Sequence, residues 1–250
     1  MTRDSRRPAL VVAVEGLEGA GKTTVVNGCA AILAARSVSA TVLPEFTASP
    51  LGGYLMTRLS ADRFLRDPVN VPSAWTQVFS VVADLAYALE YSLPAAARAH
   101  TVVLKDRWHE SVVACQHVAL ADEYGLDDSL ACDMIDGVVR TLPDPADVRI
   151  WLHAPEAVRV RRLRDRADYD PEDLPVLRRR ERAYQQLLSN PQRRAGFVFV
   201  DSSRPADEVV DAVLEIVLAA LDRPVSDVRG PGGVPPIPPR GRRTTGGAPA

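Results

Sequence analysis

Lysine is nearly missing from this chain of 250 residues. Of its 30 basic residues only Lys22 and Lys105 are lysines, and the rest are arginines. A position that keeps lysine against that habit asks for a compact ammonium rather than a planar guanidinium. Cysteine is scarce as well. Cys29, Cys115 and Cys132 form an odd, scattered set without metal-ligand spacing. That argues against a disulfide framework or a zinc site and fits a reducing cytoplasm. No apolar run approaches the roughly 18 residues of a membrane span. The start, Met1 to Pro8, leads into an apolar stretch too short for a signal peptide. Neither sign of charge dominates, with a formal net charge of −2, so composition points to neither nucleic-acid nor membrane partners. One absence is local: no basic residue occurs from Asp67 to Ala97.

What is present suffices for a full core, since 46% of the residues are hydrophobic. Apolar, β-branched runs at residues 9–14, 40–43, 101–104, 148–152 and 197–200 read as strands. Helical spacing marks residues 23–36, 73–97, 110–121, 128–141, 156–166, 175–189 and 206–221. The alternation predicts an α/β fold with a parallel sheet covered by helices on both faces. Ligands of such sheets bind beyond the carboxyl ends of the strands. Residues 15–23, 45–50, 106–110 and the arginines after Leu152 are therefore expected around one crevice. After Leu221 the composition changes. A single domain is expected over residues 1–222, and residues 223–250, rich in Pro, Gly and Arg, read as a disordered tail. Its Pro235-Pro236-Ile237-Pro238-Pro239-Arg240 run has polyproline character within a solvated segment.

The most specific signal spans Gly16 to Thr23, which fits G-x-x-x-x-G-K-T between an apolar strand and an alanine-rich helix. That is the context of a phosphate-binding loop and a P-loop NTPase. Its glycines let backbone N–H groups turn toward phosphate oxygens, and the helix N-terminus adds partial positive charge. Gly16, Leu17, Glu18, Gly19, Ala20, Gly21, Lys22, Thr23 and Thr24 are the candidate ATP-binding residues. Lys22 is expected to reach the β- and γ-phosphates and the Thr23 hydroxyl to hold Mg²⁺.

Asp106 and Arg107 follow the third predicted strand and so face that loop. The carboxylate suits Mg²⁺ or its waters, and the guanidinium suits transferring phosphates. Arg159, Arg161, Arg162, Arg164 and Arg166 crowd the helix after the fourth strand, followed by acids including Asp168, Asp170 and Asp173. The pattern reads as a lid that closes arginines, Arg161 and Arg164 among them, on ATP. For any single arginine, a solvated helix face is the simpler reading.

Taken together, Glu15–Thr24, Asp106-Arg107-Trp108 with Ser111 and Ala114-x-Gln116, Leu142-Pro143-Asp144 and Pro155-Glu156 resemble the thymidylate (dTMP) kinase family from about residue 8 to 221. The resemblance implies a five-stranded parallel sheet, ATP and Mg²⁺, phosphorylation of dTMP to dTDP, and a homodimer. Carried over, Lys22 and Thr23 handle ATP and Mg²⁺, and Glu18 lies near the acceptor sugar and phosphate. Arg107 holds the acceptor phosphate, Gln116 lies near the base, and Ser111 belongs to the same substrate motif.

Three departures accompany the resemblance. The family's second motif, R-E-P-G-G-T, here reads Pro44-Glu45-Phe46-Thr47-Ala48-Ser49. The family's thymine-reading aromatic and arginine fall on Phe79-Ser80-Val81-Val82-Ala83-Asp84-Leu85, where no arginine exists. Cys115 replaces the tyrosine of A-Y-Q. The phosphate-transfer half is kept and the base-reading half is rebuilt. This leaves two alternatives. One is a deoxynucleoside kinase with Glu45 as general base for a hydroxyl acceptor. The other is a non-catalytic nucleotide-binding module.

Overall fold

All five apolar runs form strands in the computed structural model, which describes residues 9–62, 73–166 and 170–223. They are β1 (Leu10–Gly16), β2 (Ala40–Leu43), β3 (Val102–Asp106), β4 (Val148–His153) and β5 (Phe197–Asp201). The order is β2-β3-β1-β4-β5 and every pairing is parallel. β1 is central and buried along its whole length, so its sequence runs apolar instead of alternating. β2 and β3 lie to one side of it, and β4 and β5 to the other. The winding reverses at β1, and the crevice beyond its carboxyl end is where such sheets bind ligands.

Helices cover both faces, as expected. On one face α1 (Lys22–Ala35) packs against α10 (Ala206–Asp222), with Val26, Cys29 and Leu33 meeting Val209, Val213 and Val217. A Cβ on Gly28 would stand 2.8 Å from Val210 Cγ2, so the close approach of the two helices needs glycine there. The opposite face carries α3 (Ala74–Tyr87), α5 (His109–Tyr124), α6 (Asp128–Val139) and α8 (Leu174–Ser189). α7 (Glu156–Arg164) follows β4.

Three elements differ from the expectation. The single helix foreseen over residues 73–97 is interrupted: after α3 comes a π-helical turn, Ala88–Ser92, and then α4 (Leu93–Ala99). Pro94 lacks an N–H and its ring crowds the carbonyl of Glu90, and the widened turn relieves both. α2 (Pro50–Ala61) and the short α9 (Pro191–Ala195) lie outside the expected stretches. Both carry a capping residue followed by proline at the first turn. Ser49 Oγ accepts from Gly52 N at 3.0 Å, and Asn190 Oδ1 accepts from Gln192 N at 3.0 Å. The tail expected over residues 223–250 falls, from residue 224 on, outside the described residues, and so does Asp168. No helix among the described residues is long and apolar enough to cross a membrane.

Candidate active site

β1 ends in the glycine loop and α1 begins at Lys22. Gly16, Gly19 and Gly21 all take positive φ. A Cβ on Gly16 would lie 2.4 Å from Leu152 O, and one on Gly19 would lie 2.6 Å from Arg159 O. The loop is therefore pressed against the end of β4 and the start of α7, which only glycine allows. Lys22 is buried, and its Nζ donates to Gly16 O at 2.7 Å and Leu17 O at 3.0 Å. Burial lowers its pKa and the Arg107 charge adds to that, against the opposing pull of Asp106, Glu18 and Glu15. Leu17 and Ala20 are core residues, so their side chains serve packing. Thr23 and Thr24 are exposed.

Thr23 Oγ1 donates to Asp106 Oδ2 at 2.6 Å, joining loop and β3. Asp106 Oδ1 is a buried atom with no hydrogen-bond partner. A stranded carboxylate oxygen beside a threonine hydroxyl is a hard oxygen donor set, the kind Mg²⁺ takes.

Beyond β3 the chain turns sharply. Arg107 adopts φ 65°, a left-handed conformation that costs a non-glycine residue energy and collects at functional sites. The turn aims its guanidinium back into the crevice. There Nε meets Glu45 Oε2 at 3.0 Å and Nη2 meets Glu18 Oε1 at 3.7 Å. Glu15 holds the turn from beneath: fully buried, it accepts from the backbone N–H groups of Trp108 and Ser111, each at 2.9 Å, and from Ser111 Oγ at 2.5 Å. Ser111 is thus committed to Glu15 while it also lines the cavity. Trp108 lines the cavity too, with its indole N–H donated to Asp144 Oδ1 at 2.9 Å.

Lys105, the second lysine, is buried and spends its three hydrogens on main-chain oxygens of Pro44, Glu45 and Asp106 at 2.7, 3.0 and 2.9 Å. It clamps the β2–α2 loop to β3. Burial pushes its pKa down to about 8, against the pull of Glu45 and Asp106. Asp84 anchors the same loop, accepting from Thr47 N at 2.9 Å and Thr47 Oγ1 at 2.5 Å.

Glu18 faces three cations. Arg180 Nη1 reaches its Oε1 at 2.5 Å. Burial by itself would raise the Glu18 pKa, but Arg180, Arg107 and Lys22 together hold it well below the ordinary carboxylate range. Arg180 also donates to Cys115 O at 3.3 Å. Arg180 belongs to the charged run Arg178-Arg179-Arg180, which carries no motif. A signal was available: on α8, Leu177, Arg180, Tyr184 and Leu187 share one buried stripe, so this arginine replaces an apolar residue.

The predicted acceptor residues come together. Glu45, Arg107, Ser111 and Gln116 line one cavity, closed on its apolar side by Phe46, Val81, Leu85 and Val112. Phe79 is elsewhere: it is 53% exposed and stacks on Trp75 at 5.4 Å. The α7 arginines divide. Arg161 and Arg164 lie on the exposed side. Arg159 is buried and bound to Ala154 O at 3.1 Å and Glu181 at 2.7 Å. The one brought to the loop is Arg162, whose Nη1 lies 3.4 Å from Gly19 O. About 100° of helix rotation separates it from Arg161 and about 200° from Arg164, and Leu163 packing against Leu177 holds that phase.

A family model described as thymidylate kinase matches residues 14–213. The chain is 28% identical to a probable thymidylate kinase of Archaeoglobus fulgidus over 214 residues, 85% of this chain and 97% of that protein. It is 28% identical to a thymidylate kinase of Xanthomonas campestris pv. campestris over 222 residues, 88% of each chain. It is 30% identical to a probable thymidylate kinase of Pyrobaculum calidifontis over 219 residues, 86% of this chain and all of that protein. The match runs through the same residues that build the loop, the Asp106–Arg107 turn and the cavity beside it, and the chain belongs to the thymidylate kinase family of nucleotide kinases.

Proposed function

We propose that the protein transfers the γ-phosphoryl group of ATP to the 5′-phosphate of dTMP, giving dTDP. The observation that carries this reading is the buried meeting of Lys22, Arg107 and Arg180 around Glu18 at one mouth of a cavity whose other wall is apolar. Cations suited to phosphates stand at one end, and a wall suited to a base stands at the other. The backbone of residues 16–24 would cradle the ATP phosphates, with Lys22 leaving its loop carbonyls to meet them. Arg107 would hold the acceptor phosphate and neutralise charge as the phosphoryl group moves in line. Glu18, kept ionised, would accept a sugar hydroxyl. Arg162 already touches the loop and would be the first lid arginine to meet the donor phosphates, with Arg161 and Arg164 following as the segment closes. Thr23 and Asp106 would hold Mg²⁺, which neutralises developing phosphate charge when bound.

Glu45 is bound to Arg107, which ties its charge to positioning and removes it as a free base. A phosphate acceptor is already nucleophilic and needs none. This disfavours the deoxynucleoside-kinase alternative. The reading also carries a homodimer in the cytoplasm. Phe79, Tyr87 and Tyr91 are all exposed along one side of α3 and its π turn, an apolar face suited to a second copy.

The test is ATP consumption with dTMP, with Lys22→Ala alongside. Turnover with dTMP that drops by about a hundredfold or more in the variant is expected. Lack of turnover with dTMP, while a nucleoside is phosphorylated, would overturn the reading.

A further inference from the structure

The amide of Gln116 lines the acceptor cavity, but its orientation is set by a residue behind it. Gln77, on the inward side of α3, donates from Nε2 to Gln116 Oε1 at 2.8 Å. Gln77 is 6% exposed, and its own Oε1 is buried without a partner. Two amides can pair in either sense, because each has a donor end and an acceptor end. The reversed pairing would strand the Gln77 NH₂ group with both hydrogens unused, in place of one carbonyl oxygen. Buried carbonyl oxygens tolerate that better than buried N–H groups do. The observed sense is therefore the favoured one. With its oxygen turned to Gln77, Gln116 is left to offer amide hydrogens to the acceptor.

Among the described residues of α3 that line the cavity, none offers a free polar group to a base. Val81 and Leu85, one and two turns further along the same side of α3, are apolar. Lys105 has given its three hydrogens to main-chain oxygens, and Asp84 is bound to the β2–α2 loop. No basic residue occurs from Asp67 to Ala97.

The geometry points to Gln77 as a specificity-determining positioning residue. It locks Gln116 with hydrogens toward the base, so the site takes a pyrimidine with a 4-oxo group and rejects one with a 4-amino group. This rests on the thymidylate reading above. A 4-oxo oxygen accepts a hydrogen from Gln116, whereas a 4-amino group meets it donor to donor. A site built around one hydrogen bond can reject a base unable to make it by orders of magnitude. Here an amide pair does the work that a cation would do elsewhere on the same helix.

The experiment compares dTMP and dCMP as acceptors for the full chain and for Gln77→Met, which keeps side-chain length and removes the amide. The wild type is expected to favour dTMP strongly. In the variant Gln116 is free to turn its oxygen inward. The dTMP-to-dCMP ratio of kcat/KM should then fall roughly tenfold or more, through KM, with kcat for dTMP little changed. An equal loss for both nucleotides would make Gln77 a packing residue and overturn the inference. So would a wild type that uses dCMP as well as dTMP. A wild type that uses neither removes the thymidylate reading itself, a different failure from an unchanged ratio. Should Gln77→Met not fold, Gln77→Glu assayed at pH 8 replaces it. Its carboxylate only accepts, so Gln116 must turn, and the ratio should move toward dCMP by a similar factor.

Discussion

Arg180 and Glu18 meet where neither charge reaches bulk water. Removing one partner of a buried ion pair leaves the other uncompensated, and that is typically worse than losing both. Arg180→Met should therefore destabilise the fold by about 3 kcal/mol, the lower end of such losses because Arg107 remains near Glu18. In the Glu18→Gln background the same change should do less than half that damage. Denaturant melts of the four proteins measure the coupling. Additive losses would mean that the two side chains are independent. At this scale the sequence was partly legible. Lys22, Thr23, Asp106 and Arg107 stand at fixed spacings from strand ends, and local structure alone aims them. Arg180, Arg162 and Gln77 were not legible as site residues. Their importance depends on which neighbour each one meets across the fold, at sequence separations that no motif records.

The first turn of α5 carries a buried acid among helix N–H groups. Burial raises the Glu110 pKa to about 7 and Glu15 adds to this, while Arg193 and Arg149 pull the other way. The folded state thus keeps a proton that the unfolded chain, at the ordinary value of 4.5, gives up. Stability should fall as pH rises from the lower value to the higher, and stay reduced beyond it. Glu110→Gln cannot ionise and should escape that loss. It is expected to be more stable than the wild type by about 1–3 kcal/mol at pH 8, with no advantage near pH 4. Urea melts at the two pH values check this, and an equal gap at both would reject it. Elements were the most legible part of this chain. All five strands were visible as β-branched runs. The break after Tyr87 turned on Pro94, which spacing counts ignore because the apolar pattern continues through it. α2 was announced only by the Ser49-Pro50 cap, since its helical face is too weakly apolar to show a period.

For the whole molecule, the parallel order β2-β3-β1-β4-β5 gathers the loop, the Arg107 turn, the β2–α2 loop and α7 at the carboxyl ends of the strands. The exposed aromatic side of α3 lies behind the acceptor wall, on the same helix as Gln77, Val81 and Leu85. A dimer formed there would brace α3 from outside. Phe79→Asp combined with Tyr91→Asp should shift the protein from dimer to monomer in light scattering, because two charges would enter an apolar contact. It should also weaken dTMP binding more than ATP binding. A protein that is monomeric before the change, or dimeric after it, would place the interface elsewhere.

By itself the sequence determined the fold class and the strand–loop–helix that places Lys22 and Thr23. A strand, a glycine loop and a helix N-terminus are local structures, and eight consecutive residues suffice to encode a phosphate cradle. Strand periodicity likewise needs only neighbours in the chain. Tertiary structure alone decided which side chains face the crevice. It brought Arg162 rather than Arg161 or Arg164 to the glycine loop, and Val81 rather than Phe79 to the cavity wall. It also drew Arg180 to Glu18, committed Lys105 to the β2–α2 loop and paired Gln77 with Gln116. The physical reason is helix phase. Which side chain of an amphipathic helix faces a crevice is set by how that helix docks on the sheet, and docking is a sum over many buried contacts far apart in sequence.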